Sequence, residues 1–252
     1  MFNRWFLSVV ITLTLAGLGL AIYLDAQWNI LESEVDSLPA REAAKNSTEY
    51  VESEEQNVLR ELTETDERRI FHINSVLDTL TDTRDRLPYY GELILVHTKA
   101  GEYEKAAFWA EKRALQTEHF SDFMHAASLY FSVAQQENDE AYAKESAYKA
   151  KEMYIGALDV KPNDPDVLTD LAVVYMSLLQ PDKSYAKLEK AREVDPEHIR
   201  AHFNTGVLLH QIGNIRESIP FLERSRVLAE NSDWEAIVQK YLDRHHHEIY
   251  HN

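Results

Sequence analysis

A period of 34 residues in the C-terminal half of the chain restricts its fold more than any other feature. In residues 165–196, apolar and small residues at helical spacing form two groups, one on each side of a turn at Pro181. The groups are Leu168, Leu171, Ala172 and Tyr175 before the turn and Ser184, Leu188 and Ala191 after it. We call these positions the slots of the repeat. The same slots 34 residues later hold His202, Thr205, Gly206, Leu209, Ser218, Leu222 and Ser225. This recurrence predicts paired helices that stack on one another, with Ala172 and Gly206 allowing the two helices of a pair to approach closely.

Two further copies precede these, at shifted spacing. One copy consists of Phe123, Ala126, Ala127 and Tyr130, followed by Ala150, Tyr154 and Ala157. It contains about eleven extra residues around the run QQENDEAYAKES, which predicts a longer helical hairpin rather than a long loop. The earlier copy consists of Tyr90, Leu93, Ile94 and His97, a turn at Gly101, and then Ala106, Ala110 and Ala114.

These residues and their order resemble the tetratricopeptide repeat (TPR). The resemblance implies an all-α fold, a solenoid of helical hairpins that winds as a right-handed superhelix. We predict four repeats within residues 87–232, at about 87–118, 119–162, 165–198 and 199–232. The stretch 162–209 is also similar to bacterial membrane-bound TPR factors for cytochrome c assembly, through residues that the whole superfamily shares.

Segments with helical patterns flank the predicted repeats. Ile70, Ile73, Leu77 and Leu80 predict a helix within residues 65–86 that packs on the solenoid, with a short coiled coil as the alternative, and Pro88 is expected to open the next helix. Residues 233–252 are predicted to form a capping helix with a histidine-rich tail. Its apolar face would consist of Trp234, Ile237, Val238, Tyr241 and Leu242, after a capping box at residues 232–235.

The N-terminus contains a run of uncharged residues that starts at Trp5 and ends at Leu24. As a helix, residues 5–24 are long enough to cross a bilayer. Arg4 precedes the run and acidic residues follow it, which predicts residues 1–4 in the cytoplasm, an acidic stalk over residues 25–64, and the rest of the chain in the periplasm or outside the cell. The alternatives are a cleaved signal peptide, with a small-residue site at Gly19 and Ala21, and a buried helix.

The charge balance and the lack of cysteine exclude several classes of function. The net charge of −17 disfavours binding to nucleic acid. With no cysteine in the sequence, disulfides, thiolate metal sites and thiol nucleophiles are excluded. No phosphate-binding loop or catalytic triad is recognisable, so we expect a non-enzymatic protein without a cofactor.

The resemblance implies that the first helix of each repeat lines a concave groove for a protein or peptide partner. The residues that would face it are Met124, Ser128 and Phe131, then Thr169, Val173 and Met176, and then Arg200, Phe203, Asn204, Val207 and His210. The alternative is that these side chains only pack against neighbouring helices. Some TPR proteins bind a ligand's C-terminal carboxylate with Lys and Asn from their first two repeats. Gly91 and Leu95 occupy those places here, although Arg200 and Asn204 can form a partial substitute.

The sequence HEIYH near the C-terminus matches the zinc protease pattern, in which His247 and His251 would bind metal and Glu248 would activate water. Only Asn252 follows, so a third ligand would have to come from upstream. We therefore interpret the motif as a surface tail, with adventitious or regulatory metal binding and a zinc hydrolase as alternatives. The function predicted is a membrane-anchored scaffold or assembly factor that binds a protein or peptide partner at the outer face of the membrane. The main alternative is a structural subunit of a membrane complex.

Overall fold

The computed structural model describes residues 61–251, apart from the side chains of Glu248 and His251. This part of the chain contains eleven helices and no strand, as the all-α prediction requires. No helix within it is long and apolar enough to cross a bilayer. The predicted membrane segment at residues 5–24 and nearly all of the predicted stalk lie outside the described residues.

The helices follow one another through short connections. They are α1 (Glu64–Leu77), α2 (Thr83–Lys99), α3 (Tyr103–Thr117), α4 (Phe120–Gln136), α5 (Glu140–Val160), α6 (Pro165–Ser177), α7 (Pro181–Val194), α8 (Ile199–Gln211), α9 (Ile215–Ala229), α10 (Glu235–Arg244) and α11 (His246–His251). Four hairpins result, formed by α2 with α3, α4 with α5, α6 with α7, and α8 with α9.

Helix α1 begins at a capping box, in which the Thr63 hydroxyl accepts from the Asp66 backbone N–H and the Asp66 carboxylate accepts from the Thr63 N–H. Its apolar face packs on α2, with Ile73 buried in the same cluster as Tyr90. The predicted segment 65–86 spans two helices, because Asp82 caps a new helix that starts at Thr83. The prediction that Pro88 opens this helix was wrong, since Pro88 lies inside it.

The slots that define the repeat form the interior of the four hairpins. Every residue named for these slots above is buried except His202, which is half-buried. Leu171 and Leu188, from the two helices of the third hairpin, are fully buried. Burial of each such leucine contributes about 1.5–3 kcal/mol to folding.

The close approach predicted at Gly206 is present between α8 and α9. A Cβ atom at this position would lie 2.5 Å from Leu222 Cγ and 3.1 Å from the Leu222 backbone nitrogen. Only glycine therefore fits without a shift of one helix.

The second hairpin is longer than the third because its helices are longer. Helices α4 and α5 have 17 and 21 residues, whereas α6 and α7 have 13 and 14. The extended helices pack back on α3, where the Tyr130 hydroxyl donates to the Glu111 carboxylate. Lys149 Nζ from α5 lies 3.9 Å from the same carboxylate and 5.0 Å from the centre of the Tyr130 ring. These contacts join both helices of the second hairpin to α3 of the first hairpin.

Helix α10 packs against α8 with Val238, Tyr241 and Leu242 buried. The capping box predicted at its start was wrong, because α10 begins later and Trp234, at the N-cap, makes no capping hydrogen bond through its side chain. The Glu235 carboxylate accepts from the Asn231 N–H instead of reaching back to residue 232. Ser232 accepts from the Trp234 N–H, which forms a turn before the helix.

Candidate protein-binding surface

The first helices of the hairpins, α2, α4, α6 and α8, form what we call the first-helix flank. Stacked hairpins place their first helices along one side of a solenoid and their second helices along the other. Contacts between successive first helices are present where α6 meets α8 through the ion pairs of Arg200. This flank is the place where the sequence predicts a partner.

The predicted groove residues divide into two sets. The half-buried or exposed set consists of Met124, Ser128, Phe131, Val173, Arg200, Asn204 and His210. The buried set consists of Thr169, Met176, Phe203 and Val207. The residues of the first set that carry apolar side chains, Met124, Phe131 and Val173, come from α4 and α6.

Packing by α10 explains the burial of Phe203. The Phe203 ring is fully buried, with its centre 5.3 Å from the Tyr241 ring and 6.0 Å from the Trp234 ring. His210 Nδ1 lies 2.6 Å from the Tyr241 hydroxyl, so α10 covers both ends of this face of α8. On α6, the Thr169 hydroxyl donates to the Pro165 carbonyl and is buried. Because Phe203 and Val207 of α8 are buried, we place the accessible apolar part of the flank on α2, α4 and α6.

Arg200 is already bound by carboxylates of this chain. Its guanidinium donates to the Asp170 carboxylate and also lies 3.1 Å from Asp166 Oδ1. His198 Nε2 lies 3.1 Å from the same Asp166 oxygen. A ligand carboxylate at the partial clamp of Arg200 and Asn204 would have to compete with these two aspartates.

Burial and pairing shift the pKa values of Asp170 and Arg200 in opposite directions. Burial raises the pKa of the Asp170 carboxyl, although the Arg200 guanidinium acts to lower it. Burial acts to lower the pKa of the Arg200 guanidinium, but Asp170 raises it above its usual value. Because a guanidinium keeps its proton in proteins and is hydrogen-bonded directly to the carboxylate, the pair is ionised at neutral pH.

Leu95 belongs to the accessible flank and is absent from the groove residues predicted above. It lies on α2 and its side chain is 54% exposed. Leu95 follows Tyr90 by five residues, as Ser128 follows Phe123 and Val173 follows Leu168. The repeat period therefore contained the signal for a groove residue at this position, where the sequence analysis considered only a carboxylate clamp.

A second arginine beside the flank is also paired internally. Arg113 of α3 lies with its Nε 3.1 Å from Asp122 Oδ1 at the start of α4. Its Nη1 would be 3.1 Å from a Cβ atom at Gly91, so the end of the arginine side chain lies close to the backbone of α2. Arg113 and Arg200 thus each join neighbouring helices through aspartates.

The histidine-rich tail packs on the fourth hairpin. Ile249 is buried, and the Tyr250 hydroxyl donates to the Glu223 carboxylate of α9. This hydrogen bond lowers the pKa of Glu223, and burial together with the same bond raises the pKa of Tyr250 to about 12. Among the residues described, no group of three His, Cys, Asp or Glu side chains is arranged to hold a metal ion. The side chains of Glu248 and His251 lie outside the description, so the metal and hydrolase hypotheses stay untested.

Comparison with solved structures decides the type of fold. The structure of TTC0263, a thermophilic TPR protein of Thermus thermophilus, matches with a TM-score of 0.52 and 16% identity, over 69% of this chain and 87% of that one. The described domain has the TPR fold. The prediction of an all-α TPR solenoid is therefore confirmed, and at this identity the likeness concerns the fold of the TPR domain alone.

Two other comparisons add no function. A crystal structure of MamA matches the TPR domain with a TM-score of 0.49 and 18% identity, over 68% of this chain and 97% of that one. The human protein O-mannosyl-transferase TMTC3 is 33% identical over 69 residues, which are 27% of this chain and 8% of that protein. The chain therefore spans less than a tenth of the length of that relative. The transferase activity is a property of that relative, as its name states. No family model matches the sequence.

Proposed function

We propose that this chain is a non-enzymatic TPR scaffold that binds a protein partner on its first-helix flank. The observation that carries the proposal is an apolar stripe formed by the exposed Leu95 and the half-buried Met124, Phe131 and Val173, of which Met124 and Phe131 also pack against the core. These residues come from three successive first helices, so a single partner segment that crosses the hairpins can contact all of them.

Apolar side chains that recur at or near one position of successive repeats distinguish a binding surface from scattered exposed residues. Leu95 and Val173 occupy the same slot of different repeats, and Met124 and Phe131 flank that slot in the repeat between them. Met124 adds a flexible side chain that adapts to different partners. Buried partner contacts of this kind contribute roughly 25 cal/mol per Å² of apolar surface removed from water, less the cost of ordering the partner.

We further propose that the scaffold is anchored in the inner membrane by residues 5–24, with the TPR domain at the outer, periplasmic face. The uncharged run and the acidic residues after it support this arrangement. In this location the protein would act as an assembly factor of a membrane complex. As a structural subunit of such a complex, it would instead remain at constant stoichiometry with the other subunits.

Site-specific photo-crosslinking of the full-length chain in its own membranes tests the proposal. A photoreactive residue in place of Phe131, on the first-helix flank, should give a discrete crosslinked product. Tyr148 of α5 is the matched control, because it is an accessible aromatic residue on the second helix of the same hairpin. Equal products from both positions, or products from Tyr148 alone, would contradict a partner site on the first-helix flank.

A further inference from the structure

We infer that the TPR domain bends at one joint, between its second and third hairpins. We call the first two hairpins, residues 83–160, the N-terminal pair and the last two, residues 165–229, the C-terminal pair. Polar side chains tie the two hairpins of each pair together, and the joint between the pairs has no such tie in the part of the chain that the structure describes. This hinge does not depend on the proposed function, although its effect on a partner does.

Hydrogen bonds and ion pairs connect the two hairpins of the N-terminal pair. The Glu111 carboxylate of α3 accepts from the Tyr130 hydroxyl of α4 and lies 3.9 Å from Lys149 Nζ of α5. Arg113 Nε of α3 lies 3.1 Å from Asp122 Oδ1 of α4. Because hydrogen bonds weaken steeply when their geometry is distorted, these contacts fix the angle between the first and second hairpins.

The C-terminal pair has a comparable set of polar contacts. Arg200 of α8 donates to the Asp170 carboxylate of α6 and lies 3.1 Å from Asp166 Oδ1. Arg192 of α7 donates to the Thr205 hydroxyl of α8. Both helices of the third hairpin are thus tied to the first helix of the fourth.

The joint between the two pairs differs from both of these interfaces. Within residues 61–251, no hydrogen bond or ion pair connects α4 or α5 with α6 or α7. Burial and the charge of Asp170 raise the pKa of the Tyr154 hydroxyl of α5, but no hydrogen bond joins these two side chains. On the first-helix flank, α6 and α8 contact each other directly, whereas α4 and α6 have almost no contact.

Apolar side chains, several of them small, pack the joint. Ala150 and Ala157 of α5 share one buried cluster with Val167 and Leu171 of α6. Such contacts are non-directional, so they tolerate a change of angle better than hydrogen bonds do. The connection between α5 and α6, residues 161–164, can absorb that change in its backbone. A bend at the joint therefore costs less than a bend within either pair, which would break buried polar contacts.

The joint crosses the proposed partner surface. Met124 and Phe131 of the stripe belong to the N-terminal pair, and Val173 belongs to the C-terminal pair. A bend changes the distance between these two groups, so a partner that contacts both would fix the angle of the joint. The hinge would let the first-helix flank adapt to the shape of its partner.

Distances between pairs of spin labels test the hinge, and the chain contains no native cysteine that would also be labelled. Labels on cysteines at Leu115 of α3 and Val227 of α9 span the joint. Two control sets of labels each lie within one pair of hairpins, Leu115 with Ile155 and Leu179 with Val227, and all four side chains are exposed. Double electron–electron resonance on the full-length chain in detergent should give a distance distribution at least about twice as wide for the spanning labels as for either control.

A double variant tests whether the polar contacts are what makes a pair of hairpins rigid. Tyr130→Phe together with Arg113→Met removes two of the contacts between the first and second hairpins. The distribution between labels at Leu115 and Ile155 should then widen toward that of the spanning labels. The distribution between labels at Leu179 and Val227 should stay unchanged, because the C-terminal pair keeps its own contacts.

Each alternative result has a definite meaning. A spanning distribution no wider than the two controls would overturn the hinge. An unchanged distribution between Leu115 and Ile155 in the double variant would overturn the role given to the polar contacts. All of these distances are measured without a partner, so they are independent of the crosslinking contrast between Phe131 and Tyr148, which tests the proposed function.

Discussion

Arg200 shows how one residue can look like a ligand contact in the sequence and be part of the scaffold in the structure. It lies on the first-helix flank, where a carboxylate clamp would be useful, but its guanidinium joins α8 to α6 through Asp170 and Asp166. No periodic pattern identified these partners, because an ion pair between repeats depends on which side chains meet across the interface. The residue therefore positions helices and does not offer a free cation.

Removal of this guanidinium should destabilise the domain strongly. Arg200→Met leaves the buried Asp170 carboxylate without its main partner, and we expect the free energy of unfolding to fall by about 3 kcal/mol. Urea denaturation measures the loss. The double variant with Asp170→Leu should recover part of it, since the unpaired charge is then absent. A loss below about 1 kcal/mol in the single variant would contradict the assigned role.

The same variant should have a characteristic pH dependence. Without Arg200, burial leaves the folded-state pKa of Asp170 above its unfolded value, so the protonated carboxyl stabilises the fold at acid pH. That contribution is lost as the pH rises through the folded-state pKa. The deficit of Arg200→Met relative to the natural protein should thus be smaller near about pH 5 than near about pH 7, measured by urea denaturation at both. A deficit that grows on acidification would be inconsistent with this account.

Two glycines in first helices should respond differently to alanine. Gly206→Ala places a Cβ atom 2.5 Å from Leu222 Cγ and near its backbone, and we expect a loss of about 1–3 kcal/mol in unfolding free energy. Gly91→Ala meets only the flexible end of Arg113, at 3.1 Å, and gains helix propensity of up to about 1 kcal/mol. Thermal and urea denaturation should rank Gly91→Ala clearly above Gly206→Ala. The reverse order would show that α8 and α9 can separate at low cost.

At the scale of elements, the end of the solenoid determines how much of the flank stays open. Helix α10 packs on α8 through the rings of Tyr241 and Trp234, which enclose Phe203. The apolar face of the predicted capping helix was visible in the sequence as Trp234, Ile237, Val238, Tyr241 and Leu242. The sequence did not show that this helix covers part of the predicted groove, because the sequence alone does not say which face of α8 the helix packs on.

Truncation of a tyrosine in each terminal helix tests that packing. Tyr241→Ala removes a buried ring and a hydroxyl near His210, and should lower the free energy of unfolding by about 3 kcal/mol. Tyr250→Ala, in α11, removes a partly exposed ring and should cost less than about 1 kcal/mol. Hydrogen exchange should show faster exchange of α8 amides in the Tyr241 variant alone. Similar behaviour of the two variants would mean that α10 adds little to the fourth hairpin.

Local signals at helix ends were less informative than the repeat. Thr63, two positions before the predicted start at residue 65, forms a capping box with Asp66, whereas the Ser232 and Glu235 pattern does not form one. Pro88 lies within α2 because Asp82 offers an earlier cap. A helix cap requires a hydrogen bond between one short side chain and one backbone N–H. Competition among nearby side chains therefore determines where a helix begins. The interior slots depend on the burial of many side chains, and that common requirement makes them predictable.

At the scale of the whole molecule, the repeat period was sufficient to predict a TPR fold, whereas the flank on which a partner should bind stays a prediction. It was not sufficient to say which flank residues stay accessible, since Thr169, Phe203 and Val207 are buried. The period also placed Leu95 in the accessible slot, although its exposure became evident only from the structure. The anchor at residues 5–24 and the periplasmic location remain proposals.

Hydrogen exchange with mass spectrometry, on the full-length chain with and without the protein that crosslinks at Phe131, tests the binding surface most directly. The account predicts slower exchange in α2, α4 and α6 when the partner is bound, and unchanged exchange in α3, α5 and α7. Protection confined to the second helices, or spread evenly over both sides of the hairpins, would contradict it.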